Sequence, residues 1–202
     1  MLTGWLQRTL GWSRPIMLIA IAAFLWQFGF GLYRAVYNNF LWQELGIHAE
    51  QLGFIEGVRE IPGLLTIVLA ALTAGITQSV LAGLCILLLT LGLGLYSVAR
   101  GFSDLIWMTL VFSTGFHLLF PIQNALILNY TDKGEKGTRL GQFGSLQAIA
   151  TLAAMGLVYL TARLMTFRSY FLLAAAVTAV GTVAMFLLPR SPRREQVRRR
   201  LV

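Results

Sequence analysis

The run of apolar segments along the chain leaves it few ways to fold. Six of them, residues 15–37, 50–74, 79–98, 104–130, 138–162 and 170–188, are each long enough to cross ~30 Å of hydrocarbon as a helix. The connections between them, such as "GITQ" and "ARGFS", are too short to hold a soluble domain. Neighbouring segments must therefore run antiparallel. Charged residues make up only 12% of the chain, about half of the roughly 25% typical of soluble domains. A chain this poor in charge cannot cover itself with polar surface and needs lipid as its solvent. The expected fold class is an all-α membrane protein with six transmembrane helices.

The net charge of +8 would suggest a nucleic-acid partner if it were spread over a folded face. It is not. Six arginines lie in the last thirteen residues, "RSPRREQVRRRLV", with no aromatic interleaving. The pattern is a topology signal. With the N-terminus inside, eleven Lys and Arg are cytoplasmic and three (Arg100, Arg163, Arg168) are outside. Both termini and the "TDKGEKG" loop are therefore expected in the cytoplasm of a cell with this protein in its inner or plasma membrane. The tail reads as a topology anchor, and lipid headgroups are its natural contact. Residues 1–14 lack a small-residue cleavage site. Trp5, Leu6, Leu10 and Trp12, with Arg8 and Arg14, suggest a short interfacial segment there. The expected division is residues 1–14 interfacial, 15–189 transmembrane and 190–202 a basic tail. The lone Cys85 allows neither an internal disulfide nor a cysteine metal site.

The informative residues are the polar ones inside the spans. Glu56, Arg59, Glu60 and Gly63 fall at i, i+3, i+4 and i+7, on one helical face. Gln27, Gly31, Arg34 and Asn38 share a face of the first segment. His117, Pro121 and Asn124 share one of the fourth, with Gln123 beside them. A charge at the bilayer centre costs on the order of 3 kcal/mol on insertion scales, so these faces should meet one another or water. Gln27, Arg34, Asn38, Glu56, Arg59, Glu60, His117, Gln123 and Asn124 are thus the candidate substrate and proton-coupling residues. Arg59 is placed to hold Glu56, leaving Glu60 to face Arg34 and exchange a proton. Pro62 should weaken its helix by removing the bond to the Val58 carbonyl, and Pro121 should kink the fourth segment. Gly141 and Gly144 read as helix-packing positions. The structural alternative is an outer seam in which glutamates near a helix N-terminus are simply solvated.

Several stretches together resemble the N-terminal half of a major facilitator superfamily transporter. "NNFLWQELGIHAEQLGFI" is similar to the family's first outer loop, and "HLLFPIQNALI" to its fourth helix. "TDKGEKGTRLGQFGSL" is similar to the entry into helix 5, and "LLPRSPRRE" to the exit of helix 6. Two features depart from the family. The loop between helices 2 and 3 reads "AGITQSVLAG", without the usual charges, and "MTLVFSTGF" has no helix 4 arginine. The family's inner gate contact therefore does not carry over. The resemblance implies a proton-coupled secondary transporter of a small molecule. It also implies a partner, either a second six-helix half or a second copy in a homodimer, because the family uses two halves. A non-transporting assembly factor or receptor with the same fold is the alternative. An enzyme is disfavoured. Ser113 and His117 stand four apart, but no nucleophile turn surrounds Ser113, and one histidine cannot hold zinc. No catalytic residue, metal or cofactor is expected.

Overall fold

The computed structural model describes residues 12–189. Seven helices follow one another: α1 (Arg14–Gln43), α2 (Ala49–Leu64), α3 (Thr66–Leu72), α4 (Gln78–Tyr96), α5 (Phe102–Asn129), α6 (Lys136–Thr161) and α7 (Phe167–Phe186). The basic tail and most of the expected interfacial segment (Trp5, Arg8, Leu6 and Leu10) lie outside the described residues. Trp12 is described. It is buried, stacked on Phe143 at 5.9 Å, and its Nε1 donates to Gln142 at 3.1 Å.

The expectation of six clear spans needs correction. Among the described residues five helices (α1, α4, α5, α6 and α7) are long and apolar enough to cross a membrane. The second expected segment is instead two helices, of 16 and 7 residues, meeting at Leu65. Pro62 sits three residues before that break. Thr66 Oγ1 takes up the Pro62 carbonyl at 3.1 Å, a side chain standing in for a regular helical bond. By contrast α5 continues unbroken through Pro121.

Local chemistry explains where the other helices begin. Pro15 occupies the first turn of α1, where its missing N–H costs nothing. Asp104 accepts the Arg100 N–H at 2.9 Å at the start of α5. Thr166 accepts from the Ser169 N–H at 3.2 Å at the start of α7. Gly46 turns the chain between α1 and α2 with φ of 63°, a conformation that favours glycine. Inside the helices, hydroxyls of Thr90, Thr114 and Thr178 return to the carbonyl four residues back, which keeps them paired in an apolar surround.

In the bundle α1 packs on α6 and α7, α4 packs on α5 and α7, and α2 lies on α5. The α4–α5 crossing is a backbone contact. A Cβ on Gly115 would come within 2.5 Å of the Cys85 carbonyl oxygen, and one on Gly92 within 2.7 Å of the Phe112 Cα. Gly141 and Gly144, expected at a packing seam, are exposed and meet nothing within 4 Å. The centre of the bundle is aromatic. Tyr33, Tyr96, Phe112 and Phe171 are buried together, with the Tyr33 ring 5.0 Å from Phe112 and 5.2 Å from Tyr96. The Tyr96 and Thr109 hydroxyls bond at 2.9 Å within it.

At one end of the bundle Arg168 fastens two connections to α7 through three acceptors. Its Nε donates to Glu44 at 2.8 Å, and its two terminal nitrogens donate to the Ser97 carbonyl at 2.7 Å and the Ala99 carbonyl at 2.9 Å. The guanidinium also lies over the Phe40 ring, 5.3 Å from its centroid.

Candidate functional site

The charged stripe of α2 faces α1 and α5. Two contacts set its rotation. The Ser113 hydroxyl of α5 donates to the Arg59 carbonyl, next to the Val58 carbonyl that Pro62 leaves without its helical donor. Four residues further along α2, Gly63 lies flat against the His117 imidazole. A Cβ there would fall 2.8 Å from the ring. α2 is thereby held on α5 at the level of its charges.

Arg59 binds two of the three carboxylates of its helix. It reaches Glu56 at 2.6 Å and Glu60 at 3.2 Å. The Glu56 pair is the one that i, i+3 spacing anticipates. Glu60 does not face Arg34, contrary to the sequence reading. It turns toward α5, where its Oε2 lies 3.6 Å from His117 Nε2. That nitrogen is buried and makes no hydrogen bond. A shift of a few tenths of an ångström would join the two groups. Glu60 is also the more open glutamate, with 54% of its side chain exposed against 35% for Glu56. Lying a turn further from the start of α2 thus brings no deeper burial.

A cleft of about 310 Å³ opens between α1 and α2, lined by Tyr33, Arg34, Tyr37, Asn38, Leu52, Glu56 and Arg59. It brings together four of the sequence candidates: Arg34, Asn38, Glu56 and Arg59. Glu60 and His117 adjoin it through Arg59. The other three stand apart. Gln27 donates to Thr151 Oγ1 at 3.0 Å, tying α1 to α6. Gln123 is buried and accepts from Trp26 Nε1 at 2.7 Å. Asn124 is half-buried on α5 and contributes no hydrogen bond to the network. Sequence reasoning passed over Tyr33 and Tyr37. Their signal was the aromatic stripe Trp26, Phe30, Tyr33, Tyr37 and Phe40, spaced by three and four residues along one face of α1.

The arrangement of this bundle can be set beside known proteins. The sequence profile described as Major Facilitator Superfamily matches residues 19–201, nearly the whole chain. The chain belongs to the major facilitator superfamily. It is therefore a multi-pass membrane protein of a family of transporters rather than enzymes. Among solved structures the bundle is similar to the nucleoside transporter NupG, with a TM-score of 0.79 at 14% identity over 91% of this chain. A point variant of NupG gives 0.77 at 15% identity over 88%. At this identity the likeness concerns the fold. The chain covers 46% of the first structure and 45% of the second, about half the length of each. No curated protein matches it.

Proposed function

We propose that this bundle is one six-helix half of a secondary transporter that moves a small solute with proton coupling, working with a second half or a second copy of itself. In this reading α2 and α3 together form the remaining crossing. At ~1.5 Å per residue they rise on the order of 35 Å, enough for ~30 Å of hydrocarbon. Both termini and the α5–α6 loop face the cytoplasm, following the distribution of Lys and Arg. Residues 1–14 and 190–202 flank the transmembrane unit. The half-length match to a transporter supports a partner.

One observation carries the coupling. Glu60 stands between a permanent cation, Arg59, and a titratable base, His117, at 3.2 Å and 3.6 Å. A proton delivered here has two possible holders. On Glu60 it releases Arg59 to Glu56 alone. On His117 it creates a second cation for Glu60 to hold. Either outcome redistributes the ion pairs of α2 beside the solute cleft, as coupling of proton and solute requires. The test is uptake into proteoliposomes of the full assembly. Glu60→Gln keeps the shape and removes the titration. It should abolish uptake driven by a pH gradient while leaving solute exchange at equal pH largely intact, and Glu56→Gln should mainly reduce stability. Normal pH dependence in the Glu60→Gln protein would refute the coupling role.

A further inference from the structure

One cation in the cleft stands without a counter-ion among the described residues, and this points to what enters it. Three charged residues line it: Arg34, Glu56 and Arg59. Arg59 is held by Glu56 at 2.6 Å and by Glu60, the third acid on α2, at 3.2 Å. Glu60 also turns toward His117. Arg34 forms no ion pair among the described residues, and its partner is the Phe30 ring 5.8 Å away. We infer that the cleft binds the carboxylate of a small monoanionic organic solute, with Arg34 as the counter-charge. This rests on the cleft being part of the solute path.

Five features fit that class of ligand. Arg34 is exposed and has no ion pair among the described residues, so an incoming carboxylate would be its counter-ion. Arginine's planar fork matches a carboxylate in bidentate geometry, and the Phe30 face limits how that fork can turn. Asn38, one turn along α1 in the same cleft, offers an amide donor for a remaining oxygen. The walls suit a planar or apolar body, since Tyr33, Tyr37 and Leu52 face the same space. A volume of about 310 Å³ is at the lower end of the ~300–1,000 Å³ of small-molecule sites, which favours a compact solute. A cationic solute is disfavoured, because the acid in the cleft is already neutralised.

The experiment uses the full chain in membranes, with Leu52→Cys as a reporter in a Cys85→Ala background. Benzoate should slow thiol labelling at position 52 in a saturable way, and neutral benzyl alcohol and cationic benzylamine should not. Arg34→Gln should raise the benzoate needed for half protection at least about tenfold, the loss expected when a charged hydrogen-bond donor is removed. Arg34→Lys, which keeps the charge without the fork, should fall between the two. If position 52 does not label at all, the cleft is closed to water, and both the solute path and this inference fail. If it labels, but benzyl alcohol protects as well as benzoate or Arg34→Gln protects like the parent, the carboxylate assignment alone is overturned. That result would mean Arg34 answers a carboxylate on the partner half.

Discussion

Replacing Arg168 by alanine should loosen one end of the bundle, and the structure allows the loss to be estimated. The side chain donates to two backbone carbonyls, at 2.7 Å and 2.9 Å, that close the end of α4. Because Arg168 is itself about one-third exposed, its charged donor contributes about 1 kcal/mol to each carbonyl. The Glu44 ion pair, with both partners about one-third exposed, adds roughly 0.5 kcal/mol after solvent screening. The contact over Phe40 adds a further ~0.5 kcal/mol. The expected loss is therefore about 3 kcal/mol. Arg168→Lys keeps the charge but cannot reach three acceptors at once, so it should lose roughly half as much. Unfolding in mixed micelles titrated with a denaturing detergent, followed by tryptophan fluorescence, reads both values. A loss under about 0.5 kcal/mol for alanine, or equal losses for lysine and alanine, would show that the three contacts do not act as one fastening.

Trp26→Phe should cost about 1–3 kcal/mol, because it strands the buried Gln123 oxygen. The double variant Trp26→Phe, Gln123→Leu should recover much of that loss in the same unfolding assay, and failure to recover would mean that ring volume rather than the hydrogen bond matters. Gly115→Val should be destabilised by roughly 1–3 kcal/mol or fail to accumulate in membranes, because its side chain meets the Cys85 backbone. Normal thermal stability of that variant would contradict the close α4–α5 crossing.

Much of this architecture could be read in advance, for a simple reason. Lipid imposes length and hydropathy on a helix, and both are written in one dimension. The Glu56–Arg59 pair was legible on the same ground, since i, i+3 neighbours depend only on helical geometry. What failed depended on more than one helix. Which residue faces Glu60 is set by how α2 is rotated and raised against α1 and α5. Those quantities follow from Ser113 reaching the Arg59 carbonyl and from His117 packing on Gly63, and no spacing rule contains them. Gln123 was recognised as polar within a span. Its partner Trp26 lies 97 residues away, so its structural role could not be told from a functional one. The sequence pointed to a weak joint at Pro62, and the break falls three residues later at Leu65, where Thr66 Oγ1 takes up the Pro62 carbonyl.

The split of the second crossing also bears on how the protein enters the membrane. α2 carries Glu56, Arg59 and Glu60 within 16 residues, and α3 offers only 7 apolar-rich ones. Each ionised group is penalised by about 2.5–3.5 kcal/mol near the bilayer centre during insertion, so neither piece partitions into lipid readily by itself. Of these charges Glu60 meets α5, at His117, and Ser113 of α5 holds the α2 backbone at Arg59. α5 emerges from the ribosome later than α2. α2 is therefore expected to settle only when a helix not yet made has arrived. Biogenesis of this bundle would then run against the order of its own sequence.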